Sequence, residues 1–178
     1  MQRQLLELAA TPDALPYLIR EENIALFERQ KVYSRQEIMS RYEILLENYC
    51  KVISIEAHTM LDLANQEILP AVMKYAGRVG RDGADKLRLV KDLDLSFEQK
   101  LLTRLTALIN GIGEKTGELD RAARELEQAG DSLARARFCR DAVFRRMQEL
   151  RALVDDAETI VDKQAWPFPG YGELLITK

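Results

Sequence analysis

The chain has 178 residues, 47% of them hydrophobic and 31% charged, enough to bury a core and form one soluble globular domain with at most a small extra piece. Its 26 basic and 29 acidic residues leave a net charge of -3, which supplies no electrostatic pull toward nucleic acid or acidic lipid. Cys50 and Cys139 stand far apart, each inside a helical pattern, and no apolar run approaches the length of a signal core or a membrane span, so the expected setting is the cytoplasm with reduced thiols.

Thr11-Pro12-Asp13 is a helix-start signal, with proline where a missing N–H costs little and a capping side chain beside it. A short helix from about Asp13 to Arg20 should follow, then a second over Glu21–Gln30. The apolar positions of the second, Ile24, Leu26 and Phe27, are too few for an independent core, so both pieces need a surface to pack on.

Ser34 and Glu37 have the capping-box spacing, in which each side chain satisfies a free backbone N–H of the first turn. From there Ile38, Tyr42, Leu45, Leu46, Tyr49, Ile53, Ala57, Met60, Leu61, Ala64 and Ile68 recur at steps of three and four as one wide apolar stripe. The spacing predicts a helix from about Ser34 to Tyr75, bent near Pro70, whose ring removes one backbone bond and pushes away the carbonyl of Gln66. Gly77, Gly80 and Gly83, with Arg78, Arg81 and Asp82 between them, then read as the first connection.

A turn of helix at Lys86–Lys91 is expected ahead of a second long helix, opened by a Ser96/Gln99 capping box. Its seam is Leu102, Leu105, Ile109, Ile112, Thr116, Leu119, Ala123 and Leu126, weakened locally by Gly111, Gly113 and Gly117. Gly130 and Asp131 are a stop signal followed by an N-cap, so the connection is short and its flanking helices should be antiparallel neighbours. The third helix carries Ala136, Arg140, Val143, Met147, Leu150, Val154, Ala157 and Val161 and should stop near Ala165, where Trp166 and Phe168 each precede a proline and are pushed toward extended backbone. The predicted fold is all-α: an elongated antiparallel bundle of three long helices over 34–165, with two short N-terminal helices in 1–33 and an extended aromatic and proline tail over 166–178.

Candidate chemistry is sparse. His58, the only histidine, is two residues from Glu56, and such positions on a helix do not face each other; paired Glu-x-x-His sets for a bundle metal site are missing. The loop-like Gly77–Gly83 stretch has no preceding strand and no Gly-Lys-Ser/Thr, so it reads as a connection and not as an anion cradle. Six arginines between Arg135 and Arg151 flank Phe138 and Phe144, but Asp141, Glu149 and Asp155 stand four residues after Arg137, Arg145 and Arg151, the spacing of surface ion pairs rather than of a nucleic-acid face. Cys50 and Cys139 lack a histidine in their own helices and read as inert core. No catalytic, cofactor-binding or metal-ligating residue is assigned.

The tail Trp166-Pro167-Phe168-Pro169-Gly170-Tyr171-Gly172-Glu173-Leu174-Leu175, together with Ser40–Tyr49 and Ile68–Tyr75, resembles the C-terminal region of type III glutamine synthetases. The tail matches at Trp166, Pro167, Pro169, Tyr171, Gly172, Leu174 and Leu175, and Ala10–Leu15 with Ile24–Phe27 is similar to the two short helices that close the catalytic domain; Gly77–Gly130 resembles the family only as generic helix. The resemblance implies a parent ligase that joins ammonia to glutamate with ATP and a divalent metal, Mg or Mn, through residues of a β-containing domain upstream, so that Met1 is expected to begin a truncated, inactive piece. It further implies contact with that catalytic domain and with neighbouring subunits of a homo-oligomer. Trp166, Phe168, Tyr171, Leu174 and Leu175 are the candidate interaction residues, with the three aromatics expected to be buried against helix stripes. Without the resemblance, the same bundle reads as a free-standing adaptor that binds a partner helix or dimerises.

Overall fold

The computed structural model describes residues 8–175 and is all-α, with no strand among them. Two short helices, α1 (Thr11–Leu18) and α2 (Glu21–Arg29), precede three long helical runs. The first joins α3 (Arg35–Leu63), a π turn (Ala64–Ile68) and α4 (Leu69–Leu89) without a break over 55 residues; the second is α5 (Ser96–Leu126); the third joins α6 (Ser132–Phe138), a π turn (Cys139–Phe144) and α7 (Arg145–Glu158). A last helical turn, α8 (Tyr171–Leu174), lies in the tail.

Local chemistry accounts for most boundaries. The Ser34/Glu37 box forms in full, Ser34 N–H donating to Glu37 Oε2 at 2.7 Å and Glu37 N–H to Ser34 Oγ at 3.3 Å. Asp131 caps the third run by accepting from Ala134 N–H at 2.8 Å. At the start of α5 the expected Ser96/Gln99 box is replaced by Asp94, whose carboxylate accepts from Ser96 N–H at 2.9 Å, while Gln99 N–H bonds the Leu95 carbonyl. α1 begins at Thr11 with no side-chain cap, so neither Thr11 nor Asp13 plays the capping role expected of that segment.

One expectation about the first run is corrected. Gly77, Gly80 and Gly83 do not end it: they lie inside α4, and the connection is Val90–Leu95. Glycine in a helix costs about 1 kcal/mol against alanine, but packing keeps this stretch helical, with Gly83 buried beside Leu95 of the connection and Gly80 facing Leu102 of α5. A Cβ at Gly83 would sit 3.6 Å from Leu95 Cδ1, and one at Gly80 would sit 3.8 Å from Leu102 Cδ2. Pro70 stays within the helix because the π turn just before it takes the Leu69 N–H to the Ala64 carbonyl, five residues back, and re-routes the ladder around the missing donor.

The contacts divide the chain into two compact units, Met1–Ala57 with Ala122–Arg145 and His58–Arg121 with Arg146–Lys178. In the first, Ile24, Ile38, Tyr42, Leu46, Cys50 and Ile53 are buried together with Leu126, Ala136, Cys139 and Val143, and α1 is tied to the third run by an ion pair between Asp13 and Arg140. In the second, Ile68, Val72, Leu105, Ile112, Leu119, Leu150 and Ala157 form the core. There α5 runs antiparallel to α7: Arg104 pairs with Asp156 at 2.5 Å, and Lys115, eleven residues later, pairs with the earlier Glu149 at 3.0 Å. The apolar seams fall where the spacing put them, with one exception. Leu45 is 44% exposed, and Leu46 alone of the two enters the core.

Candidate functional site

The third run stops at Glu158, seven residues short of the expected Ala165, and the chain then turns back on itself. Asp162 organises the turn. Its carbonyl accepts the N–H groups of Ala165 and Trp166 at 2.8 and 3.0 Å, and its carboxylate accepts Gln164 N–H at 2.9 Å and the Arg78 guanidinium at 2.5 Å. The backbone N–H of Gln164, followed by Arg78, holds the Asp162 carboxyl below the usual carboxylate range. The tail thus begins as bends, because Asp162 gives its N–H groups partners that an extended strand would leave to water.

Trp166 and Phe168 are half-buried and meet edge to face, with ring centroids 6.4 Å apart. Past Pro169, Gly170 N–H donates to Glu173 Oε2 at 2.9 Å, and Lys163 Nζ approaches Glu173 at 3.4 Å. The Gly170 N–H and Lys163 keep the Glu173 carboxyl low, and the two contacts bracket the Trp-Pro-Phe-Pro stretch from either side. Tyr171 opens α8; the expectation of a buried Tyr171 side chain falls outside the described residues. Leu174 and Leu175 are 58% and 83% exposed. The structure therefore brings Trp166 and Phe168 together, only partly sheltered, and leaves the leucines open.

The residues weighed for chemistry are scattered. His58 is exposed on α3. Among the described residues no group of three or more His, Cys, Asp or Glu could hold a metal ion, and Gly77–Gly83, being helical, offers no loop of free N–H groups. The arginine stretch is laced with acids: Arg151 and Asp155 meet at 3.5 Å as the spacing predicts, Glu149 pairs with Lys115 at 3.0 Å, and Asp141 takes Arg140 at 2.7 Å where the spacing predicted Arg137. Arg140 wins Asp141 because its guanidinium already lies against Asp13 and can bridge both carboxylates. One juxtaposition escaped the spacing altogether. Cys50 and Cys139, 89 residues apart, are both buried, and burial together with the neighbouring Cys50 pushes the Cys139 thiol up to about 12. Both lie on core stripes of long helices, but the pairing of those stripes is a tertiary fact. No helix among the described residues is long and apolar enough to cross a membrane.

The described residues form a helical region that ends in a tethered aromatic tail. Comparison with known proteins says what it is similar to. Residues 1–86 match the family described as Glutamine synthetase C-terminal domain. The whole chain is similar to a glutamine synthetase of Butyrivibrio fibrisolvens, 32% identical over 176 residues, covering 99% of this chain and 25% of that protein. It is 30% identical over 181 residues to the type-3 glutamine synthetase of Dictyostelium discoideum, covering 99% and 24%, and 24% identical over 185 residues to a glutamine synthetase of Bacteroides fragilis (strain YCH46), covering 99% and 25%. The chain spans about a quarter of the length of these curated relatives. Over residues 1–86, just under half of its length, it is similar to the C-terminal domain of glutamine synthetases, and a type-3 enzyme is among its relatives.

Proposed function

We propose that this chain is a non-catalytic assembly domain of a cytoplasmic glutamine synthetase. In this reading it packs on the catalytic domain and on neighbouring subunits of a homo-oligomer. ATP, the divalent metal and glutamate are handled by residues outside the chain, and ammonia is ligated to glutamate there. The observation that carries the reading is similarity along 99% of the chain to about a quarter of enzymes named glutamine synthetase. Exposed apolar side chains support a role in contact. Ile44, Leu45, Val52 and Ile55 share one edge of α3 in the first unit, and Leu174 and Leu175 protrude from the tail in the second.

The test is calorimetric titration of the chain with Mg-ATP and glutamate, together with an assay for glutamine formation. No saturable binding tighter than about 100 μM, near 5.5 kcal/mol on the affinity scale, and no product are expected. Saturable binding or turnover overturns the non-catalytic reading.

A further inference from the structure

In the first unit, the edge of α3 that carries Ile44, Leu45, Val52 and Ile55 is uncovered by any described residue, and the four side chains are 58, 44, 44 and 56% exposed. With Asn48, also exposed, they occupy a sector of about 100° around the helix. This is a second stripe, set apart from the buried one of Ile38, Tyr42, Leu46, Cys50 and Ile53 on the same helix. Glu47 and Lys51 border it on the side where Ile44 and Ile55 lie. They stand four residues apart, the spacing at which glutamate and lysine pair on a helix surface, yet neither forms an ion pair with the other or with any described residue. Both line one wall of a cavity of about 360 Å³ that opens alongside α3, with Glu127 and Arg135 on the other wall.

We propose that this edge of α3 binds the same edge of a second copy of the chain, with the two helices antiparallel. The order of residues is self-complementary in that sense. About a two-fold axis level with Tyr49, a second α3 running the opposite way sets its Ile55 and Val52 on either side of Ile44 and Leu45, and symmetry repeats the arrangement at the other end. The two Asn48 side chains come about 3 Å apart along the axis at the centre, where a polar residue in an apolar seam fixes register. Reversal about a perpendicular two-fold axis brings each flank of the helix against the same flank of the copy. Glu47 of each chain is therefore level with Lys51 of the other, and the charges left without partners within the chain find opposite partners twice. The apolar side chains supply the attraction. Exposed ion pairs add little to it, but like charges at the same places oppose it strongly, so the Glu47–Lys51 pairs select this register over others. The pairing gives the assembly role proposed above a surface and a partner, and rests on that reading.

The experiment follows the mass of the chain in solution by sedimentation velocity over a range of concentrations. Wild type should pass reversibly from one to two chains per particle. Lys51→Glu and Glu47→Lys each set like charges face to face twice, and each should weaken the dimer at least roughly ten-fold. Mixed one to one, the two variants restore opposite charges at both places and should dimerise with each other as wild type does with itself. Ile55→Asp should abolish the dimer, and the charge-reversed pair decides the matter should that variant fail to fold. A wild-type chain that is monomeric up to about 1 mM, a folded Ile55→Asp chain that still dimerises, or a mixture no tighter than its components each overturns the pairing. Titration with Mg-ATP and glutamate does not report on self-association, so a monomeric wild type overturns the α3 pairing alone, whereas ligand binding or turnover overturns the non-catalytic reading alone.

Discussion

Lys31 carries the one left-handed backbone among the described non-glycine residues, with φ 53°. It ends α2 in a Schellman turn, Val32 N–H reaching the Phe27 carbonyl and Lys31 N–H the Glu28 carbonyl, each at 3.0 Å. A side chain with a Cβ is disfavoured there, so Lys31→Gly should stabilise the chain by about 0.5–1 kcal/mol in urea unfolding. Glu37 invites a pH test. Its bonds to the Ser34 backbone and hydroxyl lower its pKa from 4.5 in the folded chain. A depressed carboxylate contributes stability that is present above its unfolded value and lost as pH falls through the folded one. Wild type should therefore be more stable than Glu37→Gln at pH 7, and the gap should close on acidification below about pH 4.5; a gap independent of pH counts against the box. The Ser34/Glu37 box and the Asp131 cap were legible in the sequence because both partners sit within three residues of each other. The choice of Arg140 over Arg137 as the partner of Asp141 was not legible, because it depends on Asp13, more than a hundred residues away.

At the scale of the elements, glycines show where local rules stop. Gly111, Gly113 and Gly117 all lie in α5, yet their surroundings differ: a Cβ at Gly113 meets nothing within 4 Å, whereas one at Gly111 comes within 3.2 Å of Leu153 Cδ1. Gly113→Ala should raise stability by about 0.5–1 kcal/mol through helix propensity alone. Gly111→Ala should gain less, since Leu153 must shift to admit it; equal gains in denaturant unfolding would show that α7 does not crowd that face. The run from Gly77 to Gly83 teaches the same lesson in reverse. Its composition is that of a connection, and burial of Val72, Ala76 and Gly83 with the seat it makes for Leu95 outweighs a propensity deficit of about 1 kcal/mol per glycine. Pro70 lies inside the same run, where a π turn supplies an alternative hydrogen bond in place of the donor that its ring removes. Periodicity located the long helices because burial of one stripe imposes it; their ends were misplaced wherever packing rather than capping decided them.

At the scale of the whole molecule, the tail is a structural part of its own unit. The Asp162 turn, the Trp166–Phe168 pair and the Lys163–Glu173 contact hold it, so deletion of residues after Gln164 should lower the melting temperature of the chain by a few degrees, at about 2–4 °C per kcal/mol for a chain of this size. An unchanged melting curve would mean that these contacts contribute nothing locally and that the segment matters only to a partner. The sequence by itself determined the helical class, the three amphipathic runs and the likeness to glutamine synthetase C-terminal regions, because helix periodicity and the Trp-Pro-x-Pro-x-Tyr tail are written in adjacent residues. Only the tertiary structure decided that glycine-rich backbone continues a helix, that the tail turns at Asp162, and that Cys50 and Cys139 are buried in the same unit. Each depends on which surfaces come together, a property of residues far apart in the chain that no local spacing encodes.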